Sequence, residues 1–213
     1  MATIKNGLGE NMKGRLGNVV FFSRFGRTYV RSCPMHVQDA CTPLQQQQRK
    51  RMNDVMTFYK VVRQSGLAGI WREAALGQHM SGMNLFVRLN IPAFSGDGRV
   101  TDYEKLHFSC GTLPGGDRFQ VKCPTSGSVV NVNWENATLL NEERYADHFM
   151  AVMLFENDEF VVCDGEDSGI LRRDCRAVLR LPEEGRLPLR VYCFFAAADH
   201  KAYSGDVCCC PES

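Results

Sequence analysis

Five cations and four aromatic rings share a short stretch near the start of the chain. Lys13, Arg15, Arg24, Arg27 and Arg31 are interleaved with Phe21, Phe22, Phe25 and Tyr29. Cationic side chains neutralise phosphates and aromatic faces stack on bases, so on a β-ribbon this mixture could grip nucleic acid. A plainer account covers the same residues: the rings pack inward and the arginines stay in water, because β-strands carry aromatics for packing in any case. Arg49, Lys50 and Arg51 form a second basic group behind the glutamine run 45–48. That triplet is too short to specify a partner and suits an exposed first helical turn. Lys13, Arg15, Arg24, Phe25, Arg27, Tyr29, Arg31 and the triplet are the candidate contacts for a partner or a nucleic acid.

Catalytic chemistry has less to stand on. The five histidines are His36, His79, His107, His148 and His200. Asp147-His148 and Asp199-His200 are adjacent, but sequence neighbours on a strand point to opposite faces, so neither is a ready dyad. No G-x-S-x-G elbow, phosphate-binding loop, dinucleotide fingerprint or H-E-x-x-H is present. The chain therefore reads as a non-enzyme without a cofactor. The acidic stretch 156–167 lacks the ligand spacing of a calcium loop and is interrupted by Phe160-Val161-Val162, which fits a solvated hairpin rim better. The ten cysteines include no C-x-x-C pair, and no histidine pair sits at metal-ligand spacing, so no metal site is expected. Most cysteines read as small core hydrophobes, and Cys208-Cys209-Cys210 reads as an exposed tail. No apolar segment follows Met1, and no run approaches the length of a membrane span. A cytoplasmic, reducing location is expected from this, with the Asn136-Ala137-Thr138 sequon accidental.

The elements that must position these residues change character along the chain. A glycine-rich arm over 6–17 leads into a predicted hairpin, with runs 18–23 and 27–31 joined through Arg24-Phe25-Gly26. A lone two-stranded hairpin is marginal in water, so this one must pack on or pair with something. Thr42, Pro43 and Gln45 mark a helix start, followed by Met52, Val55, Met56, Tyr59 and Val62 at helical spacing. Ser65-Gly66 ends that helix. Leu67, Ile70, Trp71, Ala74 and Ala75 suggest a second, and Ser81 could cap a third that carries Leu85, Phe86 and Leu89 and stops before Pro92. After the linker 93–98, strands are predicted at 105–110, 118–123, 128–134, 148–155, 159–163, 175–181, 187–195 and 202–207. The fold class is thus α+β. A hairpin with two or three helices over 1–95 precedes an all-β immunoglobulin- or fibronectin-III-like sandwich over 99–213, with Trp134 as a core tryptophan.

Gly14-Arg15-Leu16-Gly17-Asn18-Val19-Val20, then Gly26 and Tyr29-Val30-Arg31-Ser32 with Pro34, then Thr42-Pro43, Gln45 and Gln48-Arg49 form a recognisable series. It resembles the N-terminal signature of an uncharacterised family common in Bacteroides and related bacteria. Phe108-Ser109-Cys110-Gly111-Thr112-Leu113 and Ala202-Tyr203-Ser204 are similar to recurring pieces of that family too. Arg15 replaces the usual lysine and keeps its charge. Asp39-Ala40-Cys41 replaces a stretch that is often basic, which argues against a family-wide phosphate contact there. The resemblance implies a β-rich C-terminal part and no particular activity.

The net charge of +1 conceals a division. Residues 1–90 hold 13 Lys+Arg against 4 Asp+Glu, whereas 91–213 hold 12 against 20. Such asymmetry speaks of partners and not of fold. Two functional expectations follow. The favoured one is a structural or assembly protein, a homo-oligomer or one docking a protein partner through its arm and hairpin by strand addition. The alternative is a nucleic-acid-binding protein that uses the basic half; a membrane is not an expected partner.

Overall fold

The structure is a computed structural model that describes residues 2–4, 13–24, 26–35, 39–123, 128–136, 140–164, 169–183 and 185–212. It divides into two compact units, Met1–Pro43 and Leu44–Ser213.

The first unit is a four-stranded antiparallel sheet. The strands are β1 (Ala2–Ile4), β2 (Gly14–Leu16), β3 (Val19–Arg24) and β4 (Arg27–Ser32), in the order β1-β4-β3-β2. The predicted hairpin is its centre. Arg24 pairs with Arg27, which leaves a two-residue loop closed by Gly26 at φ 71°, a backbone angle that glycine takes without penalty. A second tight loop, Gly17-Asn18, links Leu16 to its partner Val19. The end of the glycine-rich arm, expected to be looped or extended, is the edge strand β2; Gly7 and Gly9 lie outside the described residues. Among the residues of this unit whose burial is described, Thr28 is buried and the rest are half-buried or exposed.

The second unit is built in three layers. Its central sheet has the order β11-β10-β7-β8, with β7 (His148–Leu154), β8 (Phe160–Asp164), β10 (Arg190–Ala196) and β11 (Val207–Cys209). A three-stranded sheet, β5-β6-β9, comprises β5 (Asp117–Lys122), β6 (Val129–Glu135) and β9 (Arg176–Arg180). Phe149, Ala151, Met153, Val191, Cys193 and Phe195 point from the central sheet into a core shared with Val130, Val132 and Trp134. The alternate residues Met150, Val152, Leu154, Tyr192 and Phe194 point the other way, into a core shared with the helices. The helices are α1 (Pro43–Gln64), α2 (Ala68–Ala74) and α3 (Gly82–Asn90). Burial on both faces explains why β7 and β10 read as unbroken apolar runs instead of alternating ones.

This layering moves the expected boundary. Helices predicted to belong with the hairpin pack on the sheet, so the chain divides at Pro43 and not at 93–98. The physical reason is the second apolar face of β7 and β10, which needs a cover and receives α1 to α3. The buried stripe of α1 is Val55, Phe58 and Val62, with Met52 exposed. Phe58 was missed, yet its ring lies within 5.7–5.9 Å of Phe94, Phe108 and Phe160. Ser65 Oγ donates to Val62 O at the end of α1, and Ser81 Oγ accepts from Asn84 N at the start of α3, both where turn chemistry placed them.

Two predicted strands are not strands. Residues 105–110 leave a short 3-10 turn and run irregularly, and 202–206 contributes only isolated bridges at Tyr203 and Ser204, with strand structure starting at Val207. The cysteine run is not a free tail. Val207–Cys209 is β11, paired with β10, and Cys209 is buried while Cys210 is exposed. Among the described residues no helix is long and apolar enough to cross a membrane.

Candidate functional site

Register sorts the N-terminal sheet into two unlike faces. Directly opposed residues in an antiparallel sheet share a face, and alternate residues along a strand do not. Arg15 pairs with Val20 and Val20 with Arg31. The next row places Phe22 opposite Tyr29, and the last places Arg24 opposite Arg27. One face therefore carries Arg15, Arg24, Arg27 and Arg31 around Val20, Phe22 and Tyr29. The two rings stack with centroids 5.4 Å apart. All four arginines are exposed, and strands β1 to β4 contain no carboxylate at all. Arg15 Nε donates to Gly17 O at 2.9 Å, which anchors that side chain at the turn.

The opposite face carries no charge and mixes apolar side chains with Ser23, Thr28 and Ser32. Leu16, Val19, Phe21 and Val30 fall on it, with Leu16 69% exposed and the others half-buried. Cross-strand pairing therefore separates charged from uncharged surface inside a stretch where sequence order interleaves them.

The remaining candidates are not on this sheet. Lys13 is exposed just before β2, and Phe25 lies outside the described residues. Arg49 and Lys50 are exposed on the first turns of α1, in the other unit. Arg51 has a different job. Its Nε donates to Phe94 O at 2.7 Å and its Nη2 to Ile91 O at 2.9 Å, tying α1 to the turn after α3. A guanidinium spent on carbonyls inside its own unit is a structural tie, so Arg51 is withdrawn from the candidate contacts. Phe22 takes its place as the stacking partner of Tyr29. Its signal was available in the alternation Val20-x-Phe22-x-Arg24, but only pairing shows that Arg27-x-Tyr29-x-Arg31 lines up beside it.

The second unit brings together groups that sequence order kept apart. His107 Nδ1 lies 2.9 Å from Asp206 Oδ1, and the Phe108 N–H donates to Asp206 Oδ2 at 2.6 Å. The carboxylate raises the imidazole pKa above its ordinary value, against the opposing effect of burial. His107 Nε2 meets no hydrogen-bond partner among the described residues, so no nucleophile completes a relay. The pair instead belongs to a clasp. Ser109 Oγ donates to Ser204 O at 2.7 Å and Leu113 N to Tyr203 O at 3.0 Å. A Cβ on Gly111 would stand 2.0 Å from Tyr203 O, so glycine is required there by close approach. The two C-terminal pieces singled out in the sequence, 108–113 and 202–204, thus hold each other.

Arg172 and Asp147 form the deepest polar knot. Arg172 Nη1 donates to Pro114 O at 2.9 Å and lies 3.5 Å from Asp147 Oδ2, and Nη2 donates to Gly115 O. Its guanidinium also sits 4.3 Å over the Phe195 ring. Burial drives Asp147 above the ordinary carboxylate range and Arg172 below the usual guanidinium value, although Arg144 and Arg172 pull Asp147 the other way. Asn136, the sequon residue, is occupied here: its amide accepts from Arg172 Nε and donates to Arg172 O. His148 and His200 stack at 5.5 Å, a pairing between two separate Asp-His doublets that sequence adjacency could not suggest.

Burial pushes the Cys163 and Cys208 thiols each up to about 11. A hydrogen bond from Cys193 lowers the Cys209 thiol against the opposing effect of burial. The described residues hold no cluster of three or more His, Cys, Asp or Glu side chains suited to a metal ion. The acidic turn after β7 has Asp158 Oδ2 accepting from Val100 N at 3.0 Å and Glu159 paired with Arg186, while 165–168 lie outside the described residues.

No protein-family model matches the chain, and no curated protein matches it. Its function must therefore be argued from the surfaces just described.

Proposed function

We propose that this chain is a non-enzymatic nucleic-acid-binding protein that engages phosphates with the arginine face of its N-terminal sheet. One observation carries the reading: four exposed arginines lie around a stacked phenylalanine and tyrosine on a single face whose strands hold no carboxylate. A scattered set would have supported solvated arginines and inward rings. Charge complementarity with a phosphate backbone is the simplest use of a face whose strands contribute only cations. The second unit serves as the body that carries this sheet. Its strand order, three strands against four with Trp134 between them, supports reading residues 99–213 as an immunoglobulin- or fibronectin-III-like sandwich.

The test is fluorescence anisotropy with a labelled oligonucleotide over a salt series. If the four arginines meet four phosphates, the log–log slope of affinity on salt is about −2.8 for a single strand, and affinity falls about 50-fold between 50 and 200 mM. Replacing Arg15, Arg24, Arg27 and Arg31 together by Gln should abolish the slope. Absence of binding at low salt, or binding that survives the fourfold replacement, overturns the proposal.

A second reading, self-assembly, is favoured by the other face. Leu16, Val19, Phe21 and Val30 are apolar and half-buried or exposed, and β1 and β2 are the outer strands of the sheet, where another strand can add. Oligomers that persist at high salt without nucleic-acid affinity would support this reading over the first.

A further inference from the structure

We propose that the ligand of the arginine face is a single strand, with bases stacked on Phe22 and Tyr29 and phosphates held by arginines on both sides. The inference rests on the nucleic-acid reading and narrows it.

The face has three rows across the strands. Arg15, Val20 and Arg31 form the first, Phe22 and Tyr29 the second, and Arg24 and Arg27 the third. Alternate residues on a strand are about 7 Å apart, so each arginine row stands about 7 Å from the rings. The rings are flanked on both sides by cations and have none in their own row on β3 or β4. A strand of nucleic acid running along β3 and β4 meets a cation, a ring pair and a cation in turn. That order matches its own alternation of phosphate and base.

A duplex fits this pattern poorly. Its base faces are already stacked on one another, so Phe22 and Tyr29 would contact only sugars and phosphates. Neither ring carries charge to reward that contact. A single strand offers its base faces, and each base stacked on an aromatic side chain contributes substantially whatever its sequence. A four-stranded antiparallel sheet with central aromatics also suits splayed bases better than a groove, which admits a helix or a two-stranded ribbon. The patch spans three rows and suits about four nucleotides, the low end of known site sizes.

The experiment compares a labelled poly-dT oligonucleotide with a duplex of the same length, using the full chain and a Phe22→Val/Tyr29→Val variant. Valine keeps strand propensity, and duplex binding, which depends on the arginines, reports that the sheet is intact. The expected result is tighter binding of the single strand by the unaltered chain. The double variant should lose about 30-fold or more for the single strand while duplex affinity stays unchanged. Tyr29→Phe, which keeps the ring, should bind as the unaltered chain does. Equal affinity for both forms, or a double variant that loses both equally, overturns the single-strand inference and leaves arginine-dependent binding in place. Failure to bind either form overturns the nucleic-acid reading itself.

Discussion

Removing the Arg172 side chain should do more damage than removing any surface arginine. Arg172 is fully buried, and Asp147 is 1% exposed. Arg172→Met keeps much of the volume but deletes every donor. The Asp147 carboxylate would then keep only Arg144, 3.3 Å away, and the carbonyls of Pro114 and Gly115 would lose the guanidinium. Breaking a buried pair by removing one partner costs about 3–5 kcal/mol, because the other charge is left stranded. An unpaired buried acceptor adds about 1–3 kcal/mol where water cannot reach it. About 4 kcal/mol is therefore a conservative expectation, equivalent to a fall of about 8–16 °C in Tm for a domain of this size. Urea unfolding followed by tryptophan fluorescence is a suitable assay, because Trp134 Nε1 donates to Arg172 O. The loss should depend on pH in a defined direction. Asp147 already has a folded-state pKa above its ordinary value through burial, so its protonated form is the one that favours folding. That contribution is full below the unfolded value and is lost as pH rises through the folded one. Without Arg172 the folded value climbs further, so the deficit of the variant should be largest at neutral pH and shrink towards pH 4. Adding Asp147→Leu should recover part of the loss, since it removes the stranded charge. A single variant that loses under about 1 kcal/mol at pH 7, or a double variant no better than the single, would refute this account of the knot.

Two further outcomes are expected. Arg51→Ala should lower stability by about 1–3 kcal/mol through loss of its two carbonyl contacts, and leave oligonucleotide affinity unchanged, separating it from the arginines of the sheet in one chemical-denaturation and binding experiment. His107→Gln should cost under about 1 kcal/mol, because the imidazole is part-exposed and screened. Its raised pKa means that the stabilisation is full below the unfolded value and fades as pH rises through the folded one, so unfolding midpoints of the two chains should converge as pH rises.

Much of the local structure was legible because its causes are local. Serines and glycines at 65–66 and 81 act within one turn, and the tight loop Gly17-Asn18 and the Gly26 turn are closed by residues within the turn itself. Strands β5 to β10 announced themselves through apolar periodicity and intervening turn residues. The failures share a cause as well. Residues 105–110 and 202–206 were expected to be strands, yet each is held by the other through single hydrogen bonds and the Asp206 carboxylate instead of a ladder. Arg51 looked like its neighbours Arg49 and Lys50, and nothing nearby in the chain reveals the carbonyls about 40 residues away that claim it.

The sequence by itself determined that the chain is α+β, that its helices precede its longer strands, and that cations and rings crowd the first strands. It could not say which way those side chains face. Cross-strand pairing decided that Arg15, Arg24, Arg27 and Arg31 stand together with Phe22 and Tyr29, and that Leu16, Phe21 and Val30 stand opposite. Helical cover of the central sheet likewise decided that the chain divides at Pro43 and not at the change in periodicity. The physical reason is the same in both cases. Residue type acts on the nearest turn of backbone, whereas face and layer depend on which distant segment supplies the hydrogen bonds and the apolar contact.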